Sequence, residues 1–198
     1  MPEVCFPNEH AMARLQDGTI FVVARVAGDG VVCQYDIAGR STSYANYFRV
    51  SSTDVGRHWD RPIEMHGLGC VRPRLLVLPV GPVLLSGGRQ CTAGTKDVIL
   101  WVNYNGTADG DWEAHSLSNL HNQLWSQSPR WQFSPLINQS RLSAGSISWE
   151  TQAYTSLLLA GDTEAVVLYN LYVGGAQGYK GITDSLGFAM RLQLLEGD

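Results

Sequence analysis

Three apolar segments of this sequence share one layout, a short strand, a tight turn and a second strand. They span about residues 12–24, 74–86 and 155–169, and the first turn is Asp17-Gly18. Asp-Gly between two apolar runs is a strong hairpin signal. The runs are almost continuously apolar, which is typical of strands buried on both faces. The repetition predicts a chain built from similar small antiparallel sheets.

A more polar hairpin follows each apolar one, at about 46–59, 98–112 and 187–194. A four-stranded unit that recurs every 60–80 residues or so is typical of a β-propeller with loop insertions. No helix-period segment of useful length appears. We therefore predict one all-β domain over residues 1–198, with less than about a tenth of the chain in helices.

One polar hairpin contains the pattern Ser-x-Asp-x-Gly-x-x-Trp, formed by Ser52, Asp54, Gly56 and Trp59. The Asp side chain can accept backbone hydrogen bonds, the Gly can adopt positive φ, and the Trp can cover the turn. The spacing resembles the Asp-box of the sialidase (neuraminidase) superfamily. The resemblance implies a six-bladed sialidase-type β-propeller, in which this motif is structural and lies at the periphery. A degenerate second copy retains Gly110 and Trp112.

The number of blades falls short of a closed ring. Three blades, with part of a fourth at most, are present, whereas propellers use about four to eight. An open array would leave unpaired strand edges. We therefore expect a partial propeller, the C-terminal portion of a sialidase-like domain without its first two blades. Such a chain is either a fragment or completes itself by association.

Composition excludes several classes of partner. The net charge is −4 and only 16% of residues are charged, so no basic patch is expected for nucleic acid or an anionic membrane. No apolar run approaches the roughly 20 residues of a membrane span. The N-terminal residues lack the charged and apolar regions of a signal peptide. The chain is not expected to bind nucleic acid or to span a membrane, and its oligomeric state is open.

Cysteine spacing leaves the compartment open. No Cys-x-x-Cys pair occurs, so no zinc site is expected. Two disulfides or four buried thiols are both compatible with the sequence. Asn105-Gly106-Thr107 and Asn138-Gln139-Ser140 fit the N-glycosylation acceptor pattern and favour a secretory route slightly. The cysteines are Cys5, Cys33, Cys70 and Cys91.

The resemblance also implies a set of site residues. Sialidases bind the substrate carboxylate with arginines, which can form bidentate pairs, and use a tyrosine nucleophile activated by a glutamate. By position, Glu9 is the predicted base and Tyr154 the nucleophile, with Arg25 and Arg89 as carboxylate ligands. Arg130 and Arg141 are alternatives to Arg89. The implied partner is a sialylated or related acidic glycan, with no metal and no cofactor.

The implied reaction is that of a retaining exo-α-sialidase, but two motifs that the family uses for it are missing. If the site is inherited, the Tyr154 hydroxyl should lie within about 2.6–3.2 Å of the Glu9 carboxylate. Neither a Phe/Tyr-Arg-Ile-Pro motif nor the acid/base aspartate of the family is present. A general acid contributes about 10²–10⁴-fold, so this chain alone should hydrolyse poorly or not at all. The alternative is a non-catalytic Asp-box propeller that binds carbohydrate or protein.

Each candidate also has a purely structural interpretation. Arg25 and Arg89 can be surface arginines at strand ends, Glu9 a solvated carboxylate and Tyr154 a core tyrosine. The long connection from about 116 to 152 contains His121-Asn122, which can bind a sugar hydroxyl or simply support the loop; the supporting role is favoured. Loops of this length are usually functional or disordered, and the aromatic content argues against disorder.

Overall fold

The computed structural model describes residues 7–26, 46–91, 95–128, 131–133, 154–173 and 184–195, which form three antiparallel sheets and one helix. The first sheet has the order β1 (Pro7–Arg14), β2 (Ile20–Val26), β3 (Tyr47–Ser52) and β4 (Ile63–Met65). The second has the order β5 (Val71–Val77), β6 (Val83–Cys91), β7 (Thr95–Asn103) and β8 (Glu113–Ser116). The third has the order β11 (Asp184–Gln193), β10 (Glu164–Val173) and β9 (Ser156–Gly161).

The sheets are successive blades of a partial β-propeller. Each blade is a meander, and the first strands of neighbouring blades contact each other, β1 with β5 and β5 with β9. This arrangement places β1, β5 and β9 innermost. The all-β fold and the blade order predicted from the three apolar hairpins are confirmed.

One helix was not predicted. α1 (Leu117–Leu124) follows β8 directly, and the Ser116 side chain caps it by accepting a hydrogen bond from the Asn119 N–H. With eight residues it leaves less than a tenth of the described part of the chain helical. A segment this short gives a weak periodic signal, and packing against β7 supports it. Within the described ranges, no helix is long and apolar enough to cross a membrane.

The middle blade provides the core on both of its faces. Along β6, Val83 and Leu85 pack between the first two blades, whereas Leu84 packs between the second and the third. All three side chains are almost completely buried. Successive strand residues point to opposite faces, so both sets must be apolar. The continuous apolar run therefore indicates two-sided burial here, as expected from the sequence.

The third blade departs from that expectation. Its inner strand β9 has the apolar side chains Leu158 and Leu159 exposed by 64% and 43%. In the first blade Met12 is exposed by 64%. The described residues place a neighbouring blade against only one face of each of these sheets. Two-sided burial is thus confirmed for β6 and not for the outer two blades.

The Ser52–Trp59 segment forms the turn between the two outer strands β3 and β4. The Ser52 hydroxyl accepts from the Gly56 N–H at 2.8 Å, and Asp54 Oδ1 accepts from the His58 N–H at 2.8 Å. The hydrogen bond from the His58 N–H is the largest of the causes that lower the pKa of Asp54. Trp59 folds back so that its indole N–H donates to the Gly56 carbonyl oxygen at 3.1 Å, yet it remains 45% exposed. The motif therefore forms a turn between the two outer strands of the first blade.

We predict that Gly87→Ala destabilises the protein, because it fills space that the first blade occupies. A Cβ at Gly87 would lie 2.5 Å from the Tyr47 hydroxyl and 2.8 Å from Cys70 Cβ. The expected loss is about 1–3 kcal/mol in the free energy of unfolding, measured by denaturant titration. Gly187→Ala is the matched strand control, because its Cβ would meet nothing within 4 Å. Equal stability of the two variants would contradict this packing.

Candidate functional site

One row of residues crosses the first blade at the end where β1 begins. Glu9 pairs with Arg25, and Arg25 pairs with Tyr47 on the next strand. Residues directly opposite on antiparallel strands share a face. Because Tyr47 is buried between the first and second blades, Glu9 and Arg25 also face the second blade. A register shift between Pro7 and Glu9 lies next to this row.

The second blade contributes Arg72 to the same place. Arg72 precedes Pro73 at the start of β5, and the register of β5 against β6 shifts between Val71 and Arg74. Arg72 has a φ of 52°, which is rare for a residue other than glycine. β-Bulges often redirect a side chain next to a functional site. This bulge directs Arg72 toward Glu9.

Three contacts join Arg72 to its neighbours. Its backbone N–H donates to Glu9 Oε2 at 2.8 Å, and its Nε lies 3.5 Å from Glu9 Oε1. The Arg25 guanidinium also donates to Glu9 Oε2, at 3.0 Å. The Arg72 guanidinium carbon lies 3.8 Å from the centre of the Tyr154 ring, a cation–π contact. Arg72 thus connects the first blade to Tyr154.

The third blade holds Tyr154 in position through its neighbour. The Thr155 hydroxyl forms a buried hydrogen bond of 2.8 Å with the Ser86 hydroxyl of β6. This bond ties the start of the third blade to the second blade. Tyr154 itself is 47% exposed and Arg72 is 42% exposed, whereas Arg25 and Glu9 are exposed by only 12% and 21%. Arg72 and Tyr154 therefore form the accessible part of the cluster.

The structure brings together three of the four predicted site residues, Glu9, Arg25 and Tyr154. It shows no hydrogen bond between the Tyr154 hydroxyl and Glu9; the two residues are instead connected through Arg72. The backbone of Arg89 pairs with Asp97 at the same end of the second blade. The Arg89 side chain, Arg130 and Arg141 lie outside the described part of the chain.

Sequence reasoning missed Arg72, although a signal was present. Proline disrupts strand ladders and restricts the residue before it, so Arg72-Pro73 at the start of an apolar strand indicates an irregular backbone. In the family motif Phe/Tyr-Arg-Ile-Pro, an isoleucine separates the arginine from the proline. Arg72 directly precedes Pro73 and therefore did not match that motif.

A second tyrosine lies beneath the cluster. Tyr47 is fully buried, and its row partner Arg25 lies above it. Burial raises the pKa of Tyr47 far above its usual value, and the nearby Cys70 backbone and the Arg25 charge oppose this only in part. Tyr47 therefore stays neutral and acts as a packing residue. Cys70 beside it forms a disulfide bond; the other three cysteine side chains lie outside the described part.

His121 has the structural role that the sequence favoured. Its ring is completely buried, and Nε2 donates to the Trp131 carbonyl oxygen at 2.6 Å. Nδ1 therefore accepts from the Tyr169 hydroxyl at 2.8 Å. Burial raises the pKa of Tyr169 to about 12 and lowers the pKa of His121. Phe188 packs edge-on against the imidazole. This histidine fastens α1 to the third blade.

Comparison with known proteins supports the fold. No family model and no curated protein matches this sequence. A solved protein of unknown function from Dyadobacter fermentans is 17% identical over 95% of this chain and 38% of its own, with a TM-score of 0.56. An α-L-arabinanase from Penicillium chrysogenum, complexed with arabinobiose, is 15% identical over 83% of this chain and 41% of its own (TM-score 0.43). An α-L-arabinofuranosidase from Fusarium graminearum is 13% identical over 82% and 40% (TM-score 0.46).

The chain matches only part of each of these solved structures. The chain spans 38% to 41% of their lengths. The likeness to the Dyadobacter fermentans protein concerns the fold alone, since the identity is 17%.

We predict energetic coupling between Glu9 and Arg25. A double-mutant cycle with Glu9→Gln and Arg25→Met should give about 1.5 kcal/mol in the free energy of unfolding, because the pair is charged and mostly shielded. The matched control is the cross-strand pair Glu164–Arg191, in which Arg191 is 69% exposed. That pair should give about 0.5 kcal/mol. A smaller coupling for Glu9–Arg25 than for the control would contradict the assignment.

We also predict that His121 makes stability fall in mild acid. Burial lowers the pKa of His121 in the folded protein. Below about pH 6.5, His121 therefore binds a proton more readily in the unfolded chain than in the folded protein. Stability is thus full above pH 6.5 and declines below it, with a limit of about 1.4 kcal/mol per pH unit for one proton. Unfolding free energies between pH 7.5 and 5.5 should show a weaker pH dependence in His121→Gln. His66→Gln, at an exposed site, should keep the wild-type slope.

Proposed function

We propose that the chain is part of a propeller glycoside hydrolase of the exo-α-sialidase type, acting on a glycan with a terminal acidic sugar. Arg72 is a carboxylate ligand in this proposal, together with Arg25 and Arg89. Tyr154 is the nucleophile and Glu9 is its base. The Asp-box resemblance supports the family, and the cluster at one end of the innermost strands supports the site.

A single observation carries the proposal, the contact of Arg72 with both Glu9 and Tyr154. A guanidinium that remains 42% exposed beside a tyrosine suits an anionic substrate, since arginine can bind a carboxylate bidentately and keeps its charge. The Nε contact to Glu9, at 3.5 Å, is longer than the 3.0 Å bond from Arg25. A substrate carboxylate can compete for Arg72 while Arg25 keeps Glu9 oriented.

The proposed reaction has two displacements. The Tyr154 oxygen attacks the anomeric carbon, Glu9 accepts the phenolic proton, and the bond to the leaving oxygen breaks; the leaving oxyanion takes a proton from solvent. Water then attacks the anomeric carbon and loses one proton to solvent, while Glu9 returns the phenolic proton to the Tyr154 oxygen as the glycosyl–tyrosine bond breaks, with retention of configuration. The first displacement requires the Tyr154 hydroxyl to approach Glu9 once substrate has bound Arg72.

A second candidate is a carbohydrate-binding propeller without catalysis. The observation that favours it is the Glu9 carboxylate, whose hydrogen bonds go to Arg25 and Arg72 rather than to the Tyr154 hydroxyl. In that case the cluster binds an acidic sugar and Glu9 only orients the arginines. The two candidates differ in turnover and agree on binding.

The test separates binding from turnover. An aryl α-sialoside needs little protonation of its leaving group, so it avoids the requirement for a general acid. We expect hydrolysis of this substrate and none of an aryl α-L-arabinofuranoside. Tyr154→Phe should reduce turnover by at least about 10²-fold while binding of a planar carboxylate analogue persists. Tyr104→Phe, a half-exposed tyrosine elsewhere on the second blade, is the matched control.

Binding of the carboxylate analogue tests Arg72 directly. Arg72→Ala should raise its Kd by about 10–100-fold, because a charge-assisted contact is lost. The exposed Arg61→Ala is the control and should leave Kd unchanged. Binding without turnover by the wild-type chain would select the binding module. Equal Kd values for Arg72→Ala and Arg61→Ala would overturn both candidates.

A further inference from the structure

We infer that Asn105 is an acceptor for an N-linked glycan. Asn105-Gly106-Thr107 has the acceptor pattern and lies in the turn that follows β7. Asn105 and Thr107 are both exposed, and the preceding Tyr104 is 50% exposed. A glycan attached at such a turn would extend into solvent rather than into a blade.

The turn needs two of these three residues for its own structure. Gly106 has a φ of 66°, and a Cβ there would lie 2.5 Å from the Gly81 carbonyl oxygen, so only glycine fits. The Thr107 hydroxyl donates to the Asp109 carbonyl oxygen. Both residues therefore have a structural reason to be present, and Asn105 is the residue of the tripeptide that distinguishes a glycan acceptor from an ordinary turn.

Asn105 has no corresponding structural role. The buried Asn103 shapes the turn instead, since its Oδ1 accepts from the Gly106 N–H at 3.0 Å and its Nδ2 donates to the Thr107 carbonyl at 2.9 Å. The Asn105 side chain forms no hydrogen bond with any residue in the described ranges. Its amide is available, and modification would break no hydrogen bond within the described ranges.

The turn also lies away from the candidate site. In the β5–β6 ladder, Val71 pairs with Gly88 beside Arg72, whereas Val77 pairs with Val83 at the other end. Val83 in turn pairs with Asn103, immediately before the turn. Asn105 and Arg72 therefore lie at opposite ends of the second blade. A glycan on Asn105 would leave the cluster around Arg72 open.

N-glycosylation requires the secretory route, and the Cys70 disulfide favours the same compartment. Disulfides form and persist in oxidising environments such as the secretory route, where N-glycosylation takes place. The donor is a lipid diphosphate-linked oligosaccharide. A bond forms between Asn105 Nδ2 and the anomeric carbon of the first N-acetylglucosamine, and the sugar–phosphate bond breaks. The lipid diphosphate leaves with the electron pair and the amide loses one proton.

The deciding experiment is cell-free translation of the full chain, behind a cleavable secretion signal, with endoplasmic reticulum microsomes. Glycosylation is read as a gel shift that peptide N-glycosidase removes, so the result does not depend on folding. Asn138→Gln removes the other acceptor tripeptide and should still shift. Asn138→Gln with Asn105→Gln should not shift, whereas Asn138→Gln with the conservative Thr107→Ser should.

The possible outcomes are distinct. An unshifted Asn138→Gln chain, beside a reporter glycoprotein modified in the same reaction, would overturn the proposal. Secreted Asn138→Gln protein adds a test of the native position of Asn105. Removing its glycan should change the midpoint of thermal unfolding by less than about 3 °C, as at other surface sites. A larger rise on removal would show that the folded protein covers this position and would contradict the proposed exposure.

Discussion

Burial of both faces of the middle blade is the constraint on which the rest of the structure depends. Leu84 and Leu85 are neighbours in β6, yet one packs toward the third blade and the other toward the first. At about 25 cal/mol per Å² of apolar surface, these two interfaces provide the main driving force that holds three separate meanders together. Tyr47 and Gly87 fit closely across one interface, which leaves little freedom in the angle between those blades.

Such packing at the centre allows irregular backbone at one end. The register shifts of β1 and β5 lie next to Glu9 and Arg72, and Arg72 has a positive φ that costs free energy. A residue in this conformation persists only where surrounding contacts hold it. Here the contacts are the Glu9 carboxylate on the Arg72 N–H and the Tyr154 ring under its guanidinium. The same contacts give the cluster its charge and its shape.

The two ends of the blades carry different kinds of structure. At one end, bulges and charged side chains of the first two blades meet Tyr154 of the third blade. At the other, neutral and acidic side chains close tight turns, with Asp54 in the first blade and Asn103 in the second. Antiparallel meanders explain this division, since the β1–β2 and β3–β4 turns lie at the same end of the blade. Turn chemistry there stabilises the blade edge and leaves the opposite end available for ligand contacts.

The local sequence was sufficient to predict the hairpins, the blade order and a turn within Ser52–Trp59. Each depends on interactions within a few residues or on apolar periodicity, which one chain segment reveals alone. Through resemblance it also led to the prediction that Glu9, Arg25 and Tyr154 are site residues. Only the tertiary structure showed Arg72 between them, because its conformation arises from a bulge and its partners lie 63 and 82 positions away in sequence. Likewise, α1 depends on packing, and the exposure of Leu158 depends on which faces another blade covers. Contacts between distant segments decide such features; the local Arg72-Pro73 pair signals an irregular backbone but not the partners of Arg72.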